Sequence, residues 1–228
     1  MSTSATPATP ATPAAPVRPR PSQLLLDTKV VAVLRATHAA EYEPVIEALL
    51  KGGVRSIELT LSTAGVFEHL PALRARFGAE AEIGVGTVTN VGQALEAIEA
   101  GASYLVTPVT GTDIIETSVS RGVPIFPGGL TPTELHSGWA AGGTAVKVFP
   151  ASLVGESYIA MLRGPFPGIQ VIPSGGVGLD DAVRWIGAGA LAVSVGGPLL
   201  GDAFAGGDLG ALTDRATRLA AAVAEAAA

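Results

Sequence analysis

At 228 residues, with 48% hydrophobic and 15% charged residues, the chain has the composition of a well-buried globular protein and not of a disordered one. A net charge of −6 argues against nucleic acid, whose binders carry a basic stripe, and offers no attraction to anionic lipid. The absence of cysteine removes disulfides, thiolate metal sites and a cysteine nucleophile, and no apolar run approaches the roughly 20 residues that cross a bilayer.

Residues 1–21 form a Ser/Thr/Ala/Pro tract in which Thr-Pro recurs at Thr6-Pro7, Thr9-Pro10 and Thr12-Pro13. Proline at that density blocks helix and ladder alike, which predicts a disordered tail. The tract has no apolar h-region of a secretory signal, so a cytoplasmic protein is expected, with residues 22–228 as one domain.

From Ser22 onward one unit repeats: a short apolar strand, a turn, an amphipathic helix, then Gly or Pro. Ser22 caps a short segment through Leu24-Leu25-Leu26. The first strand is 30–35. Its helix, from about Ala39, places Val45, Ile46, Leu49 and Leu50 at helical spacing and ends at Gly52-Gly53. The second strand is 56–61, followed by Val66, Phe67, Leu70 and Leu73 on a helix face. The third, fourth and fifth strands are 82–88, 104–109 and 124–127. Between them run helices carrying Ala94, Leu95 and Ile98, then Ile114, Ile115 and Val119. The sixth strand is the run Ala145 to Pro150, the seventh is 170–173 and the eighth 191–195. The last helix begins near Asp208, with Leu209, Leu212, Leu219 and Val223 on one face. Strands apolar on both faces belong in a parallel sheet covered by helices. The α/β pattern therefore predicts a closed (β/α)8 TIM barrel, whose chemistry gathers where the strands end. An open doubly wound sheet is the alternative, but no G-x-G-x-x-G follows the first strand.

Lys147 lies in the middle of the sixth strand, whereas Lys29 and Lys51 read as solvated loop positions. Burying an ammonium costs several kcal/mol unless it is paired or loses its proton, and a neutral amine is the nucleophile that forms a Schiff base with a carbonyl. Glu58, near the middle of strand two, supplies a carboxylate on the same face, suited to moving protons beside an imine; a buried ion pair with Lys147 or Arg35 is the plainer reading. Arg35 at the end of strand one matches a substrate carboxylate. Thr60 on strand two is a candidate substrate contact, Ser62 and Thr63 follow the strand, and Thr87 offers a hydroxyl at the end of strand three. Ser174-Gly175-Gly176 and Gly196-Gly197 end strands seven and eight, where barrels commonly bind phosphate, although tight turns alone also call for glycine. His38, His69 and His136 lie far apart in sequence, without ligand spacing, and no metal is expected.

Glu58-Leu-Thr60-Leu, Gly84-Val-Gly86-Thr87-Val, Pro127-Gly128, Leu130-Thr-Pro-Thr-Glu134-Leu, Lys147-Val-Phe149-Pro150, Gly164-Pro-Phe-Pro167 and Pro173-Ser174-Gly175-Gly176-Val177 resemble the 2-keto-3-deoxy-6-phosphogluconate (KDPG) and 4-hydroxy-2-oxoglutarate (KHG) aldolase family, which also includes 2-keto-3-deoxy-6-phosphogalactonate aldolases. The motifs run in order from about Val30 to Leu200. The resemblance implies a homotrimeric class I aldolase that takes a 2-keto acid and needs no cofactor, with Lys147 as the Schiff-base lysine and Glu58 as the proton-shuttling base. It implies that Thr87 holds the pyruvyl carboxylate, that Pro108 and Phe149 line the pocket, and that Ser174, Gly175 and Gly176 cradle the phosphate. Two positions depart from the pattern: Ser62 stands where many similar members have arginine, and Pro198 where many have a phosphate-binding serine. Arg35 is the candidate for the first task; the second departure weakens the expected grip on phosphate. The expected reaction is cleavage of KDPG to pyruvate and glyceraldehyde 3-phosphate, with 4-hydroxy-2-oxoglutarate cleavage as a further activity. The alternatives are the galactonate-derived substrate, a metal-dependent pyruvate aldolase, and a phosphate-binding barrel without catalysis.

Overall fold

The computed structural model describes residues 17–228. Most of the predicted 1–21 tail lies outside the described residues. Its last part is held: the Arg18 guanidinium carbon stands 3.3 Å from the Trp139 ring centroid, and the side chain donates to the carbonyls of Trp139, at 2.9 Å, and of Gly143. Those carbonyls lie at and just past the end of the helix Pro132–Ala140, so fixed chain begins before Ser22.

Helix α1 (Gln23–Thr28) is capped by Ser22, whose hydroxyl accepts from the Leu25 amide at 3.0 Å. Strand β1 (Val30–Leu34) follows at once. A 3-10 turn at Ala39–Glu41 then leads into α2 (Tyr42–Lys51), where the sequence predicts one helix. The chain continues through β2 (Ser56–Thr60), α3 (Val66–Phe77), β3 (Glu82–Gly86), α4 (Val91–Glu99), β4 (Leu105–Val106) and α5 (Thr112–Ser120). The predicted fifth strand is two pieces, β5 (Ile125–Phe126) and β6 (Gly128–Gly129), because Pro127 between them has no N–H to give a ladder. Then come α6 (Pro132–Ala140), β7 (Val146–Val148), α7 (Tyr158–Arg163), β8 (Val171–Pro173), α8 (Leu179–Gly187), β9 (Val193–Val195), α9 (Gly197–Leu200) and α10 (Leu209–Ala226). Strands three, four and six are shorter than predicted, since their last residues turn away to build the loops.

All strand pairs are parallel. One six-stranded sheet runs β5-β4-β3-β2-β1-β9, and a three-stranded sheet runs β6-β7-β8. Pro127 alone separates them on one side, and on the other a parallel bridge joins Ser174, just past β8, to Ser194 in β9. Outward residues of the strands, such as Ile57, Leu59, Val85, Leu105 and Val148, pack with Ile46, Leu49, Leu70, Ile115, Leu135 and Leu219 of the helices in one apolar layer. Full burial of each such side chain contributes roughly 1.5–3 kcal/mol. A second cluster lies on the inward face: Leu25, Val31, Tyr104, Val106, Phe126, Ala145, Ile172 and Ala192. Leu25 brings α1 across the end where the strands begin, so the strand ends opposite are left for the loops.

Candidate active site

Lys147 sits between Val146 and Val148, both fully buried, and is itself 8% exposed. Its amide donates to Pro127 O and that of Phe149 to Gly129 O, at 2.8 and 2.9 Å, which fixes the strand on its neighbour. The Lys147 Nζ stands 5.1 Å from the Phe149 ring centroid. Phe149 in turn lies against Gly175, where an added Cβ would come within 2.8 Å of the ring. The aromatic thus links the amine to the glycine turn after β8.

Glu58 pairs in register with Val33 and Gly84 and is 1% exposed. Its carboxyl occupies space that only glycine leaves free: a methyl on Gly86 would lie 1.9 Å from Oε1. Burial pushes the Glu58 pKa up, opposed by the charge of Lys147 and then of Arg35. Among the described residues, however, no cation lies within the 4.0 Å of an ion pair with Glu58, and its Oε2 has no hydrogen-bond partner. Amine and carboxylate are therefore close enough to feel one another and too far apart to pair. The plain ion-pair reading of Glu58 does not describe this site. A buried acceptor left unpaired costs roughly 1–3 kcal/mol, more when charged, and such orphans cluster where chemistry is done.

The remaining predicted residues ring this pair to different degrees. Arg35 is exposed at the end of β1, and its charge reaches both Glu58 and Tyr42. Thr60 is 1% exposed; its hydroxyl donates to Leu34 O at 3.0 Å and shares a 3.1 Å contact with Ser62 Oγ, so it ties β2 to β1. Thr87 is half-buried with φ +63, a left-handed conformation that a β-branched residue adopts at a cost on the order of 1–3 kcal/mol. That turn carries its side chain out of the β3 alternation. Pro108 is half-buried beside Gly128, where a Cβ would meet Pro108 O at 2.6 Å.

Ser174 is 5% exposed, its Oγ 3.4 Å from Ser194 Oγ. Gly175 and Gly176 have φ of +82 and +73, and a Cβ on Gly176 would meet Ser152 at 2.7 Å. Their turn is laced to the one after β7 by Ala151 N donating to Ser174 O and Ser152 N to Gly175 O. Gly197 has open space on its Cβ side, and the exposed Pro198 follows it in α9.

Sequence reasoning missed two things here. His38 and His69, remote in the chain, meet edge to face at 5.2 Å between ring centroids, brought together by the turns after β1 and β2. No group of three or more His, Cys, Asp or Glu suited to a metal occurs among the described residues. The second omission is Tyr104, read only as a strand residue. Its ring fills the space over Gly84, and the spacing Gly84-x-Gly86 was the available signal that two large inward neighbours needed room.

The KDPG and KHG aldolase family model matches residues 22–213. The 2-dehydro-3-deoxy-phosphogluconate aldolase of Dickeya dadantii (strain 3937) is 33% identical over 201 residues, covering 87% of this chain and 92% of the relative. The 2-dehydro-3-deoxy-6-phosphogalactonate aldolase of Escherichia coli (strain K12) is 31% identical over 171 residues, 75% of this chain and 83% of the relative. Among solved structures, a KDPG aldolase from Legionella pneumophila, with pyruvate captured at low pH as a covalent carbinolamine intermediate, superposes with a TM-score of 0.78 at 25% identity, covering 85% of this chain and 95% of that one.

Proposed function

The chain belongs to the KDPG and KHG aldolase family and is a class I aldolase, a carbon–carbon lyase, and we propose that it cleaves KDPG to pyruvate and glyceraldehyde 3-phosphate through an imine on Lys147. The observation that carries this reading is that Lys147 and an orphaned Glu58 carboxyl are both buried, close enough for their charges to interact, and do not pair. A structural ion pair would have closed that gap.

In this reading the Lys147 nitrogen attacks the C2 ketone, giving up a proton as it adds, and the carbinolamine loses water to give a protonated imine. Glu58 takes the proton of the C4 hydroxyl as the C3–C4 bond breaks. The bonding electrons move into the imine, the aldehyde leaves, and the enamine is protonated at C3 and hydrolysed to pyruvate. Burial raises the Glu58 pKa above the ordinary carboxylate range, in the direction that suits a group which takes and returns a proton. Arg35 and Thr87 hold the substrate carboxylate, and Pro108 and Phe149 line the pyruvyl pocket. Ser174, Gly175, Gly176, Gly196 and Gly197 receive the phosphate, with a looser grip for want of a hydroxyl at Pro198. Thr60 serves the site by fixing β2 to β1.

The two sheets are read as one closed (β/α)8 ring of a single domain, supported by the Pro127 junction and the Ser174–Ser194 bridge. The assembly is read as a homotrimer in the cytoplasm, on the family resemblance. The galactonate-derived substrate is the second reading, favoured by the similarity to the Escherichia coli phosphogalactonate enzyme.

Borohydride added with pyruvate should trap a covalent adduct on Lys147 by mass spectrometry; an adduct elsewhere, or none, overturns the mechanism. Turnover should survive EDTA. Steady-state constants for the gluconate-derived, galactonate-derived and hydroxy-oxoglutarate substrates, measured side by side, identify the preferred one.

A further inference from the structure

The mechanism leaves one buried polar group unused. Tyr104 is 1% exposed, inside the strands, with its ring tilted against Phe126 at 5.4 Å between centroids. A Cβ on Gly84 would lie 2.3 to 2.5 Å from Cε2, Cδ2 and Cζ of that ring, so only glycine admits it, and the hydroxyl end of the ring stands over β3. Gly84 is the register partner of Glu58, which puts Tyr104 and Glu58 in one layer of the interior. The Tyr104 hydroxyl and Glu58 Oε2 are the two buried side-chain polar atoms without a hydrogen-bond partner among the described residues. Phenylalanine would fill the same space and stack on Phe126 without burying a hydroxyl.

Two unpaired polar atoms in one layer, one an obligate acceptor when ionised and the other a donor, are the setting in which a buried water is held. We propose that Tyr104 is a positioning residue for Glu58: its hydroxyl donates to one enclosed water, which donates to Glu58 Oε2, holding the carboxyl over Gly86 and favouring its ionised form. The inference rests on the reading of Glu58 as the proton-transfer group and names what orients it. The charged and titratable groups facing the pair are Lys147 on β7, Arg35 at the end of β1, and Glu82 at the start of β3. Glu82 already accepts from Ser56 Oγ at 2.5 Å, which leaves Glu58 as the carboxylate in need of a donor.

The test is Tyr104→Phe in the full chain, followed by kcat/KM for KDPG cleavage from pH 5 to 9. With its donor gone, burial is opposed only by the charges of Lys147 and Arg35, and Glu58 should ionise at higher pH. The acidic limb should move up by about one pH unit, and kcat should fall roughly threefold to tenfold with KM unchanged. Superimposable profiles overturn the proposal, since a tyrosine that merely fills space would leave the limb in place. Trapping with pyruvate and borohydride separates the two readings: an adduct on Lys147 in parent and variant, with identical profiles, removes Tyr104 alone, whereas no adduct in the parent removes the aldolase reading and this one with it. If the variant does not fold, a high-resolution crystal structure of the parent decides. A water within hydrogen-bond reach of both Tyr104 Oη and Glu58 Oε2 supports the proposal, and dry apolar contact there ends it.

Discussion

The layer between strands and helices and the inward face of the strands are both largely buried, yet among the described residues only the second holds a buried carboxyl and amine. The outer layer is built of apolar side chains, from Leu34, Ile46 and Leu49 to Leu219 and Val223, and the Tyr42 and Ser118 hydroxyls buried in it donate to backbone carbonyls. The inner one carries Glu58 and Lys147 among aliphatic and aromatic neighbours, with Ser56, Thr60, Ser174 and Ser194 along the same faces. The outer layer contributes the stability that makes the inner arrangement tolerable, because an unpaired buried carboxyl is an expense the fold must offset elsewhere.

That division is testable from its largest consequence downward. Lys147→Ala should abolish cleavage and the borohydride-trapped adduct while leaving the melting temperature unchanged or higher; measurable turnover would break the contrast at its centre. Glu58→Gln should slow turnover by about 10²–10⁴-fold, the usual worth of a general acid–base group, measured by coupled pyruvate release. Gly86→Ala, which touches no substrate, should lower kcat by roughly tenfold to a hundredfold by displacing the Glu58 carboxyl. An unaffected kcat would mean the carboxyl need not sit where it does. Leu49→Ala in the outer layer should cost about 2–5 kcal/mol in urea unfolding and leave kcat and KM of the folded fraction unchanged.

The smallest effect concerns pH. Burial raises the Glu58 pKa above its ordinary 4.5. The folded chain therefore keeps a proton that the unfolded chain has released, and stability falls as pH rises from 4.5 to the raised value. Glu58→Gln removes that loss. The melting-temperature difference, variant minus parent, should be smallest near pH 4 and grow to a plateau above the raised pKa. A difference that stays constant would show that the carboxyl is not desolvated.

Much of this was legible in the chain because strand alternation fixes direction. Lys147 between two valines, and Glu58 with an isoleucine before it and a leucine after it, are set by alternation to point the opposite way from those neighbours, and Ile57, Leu59, Val146 and Val148 all pack in the outer cluster. Ser22 as a cap and Gly52 as a helix stop were equally local signals. What stayed hidden depended on contacts between distant segments. Nothing near Arg18 announces Trp139, and nothing near His38 announces His69. The third strand ends two residues before its apolar pattern does because a threonine gives no warning of positive φ; Thr87 is held there by the chain on either side, including Val88 N donating to Val106 O at 3.2 Å. Tyr104 looked like any aromatic strand residue until the glycine opposite it was placed.

The seam between β8 and β9 is thin: one bridge at Ser174 and Ser194, with Leu191 N donating to Val171 O at 2.9 Å. Where a ladder has so few rungs, opening begins at lower free energy than in its neighbours, and amide protons there should be among the first to exchange with deuterium. The same seam carries both glycine turns, so an anion bridging them would act as a clasp. Occupancy by such an anion would then be readable as slowed exchange along β8 and β9, the ladder neighbours of the Lys147 strand β7 and of β1.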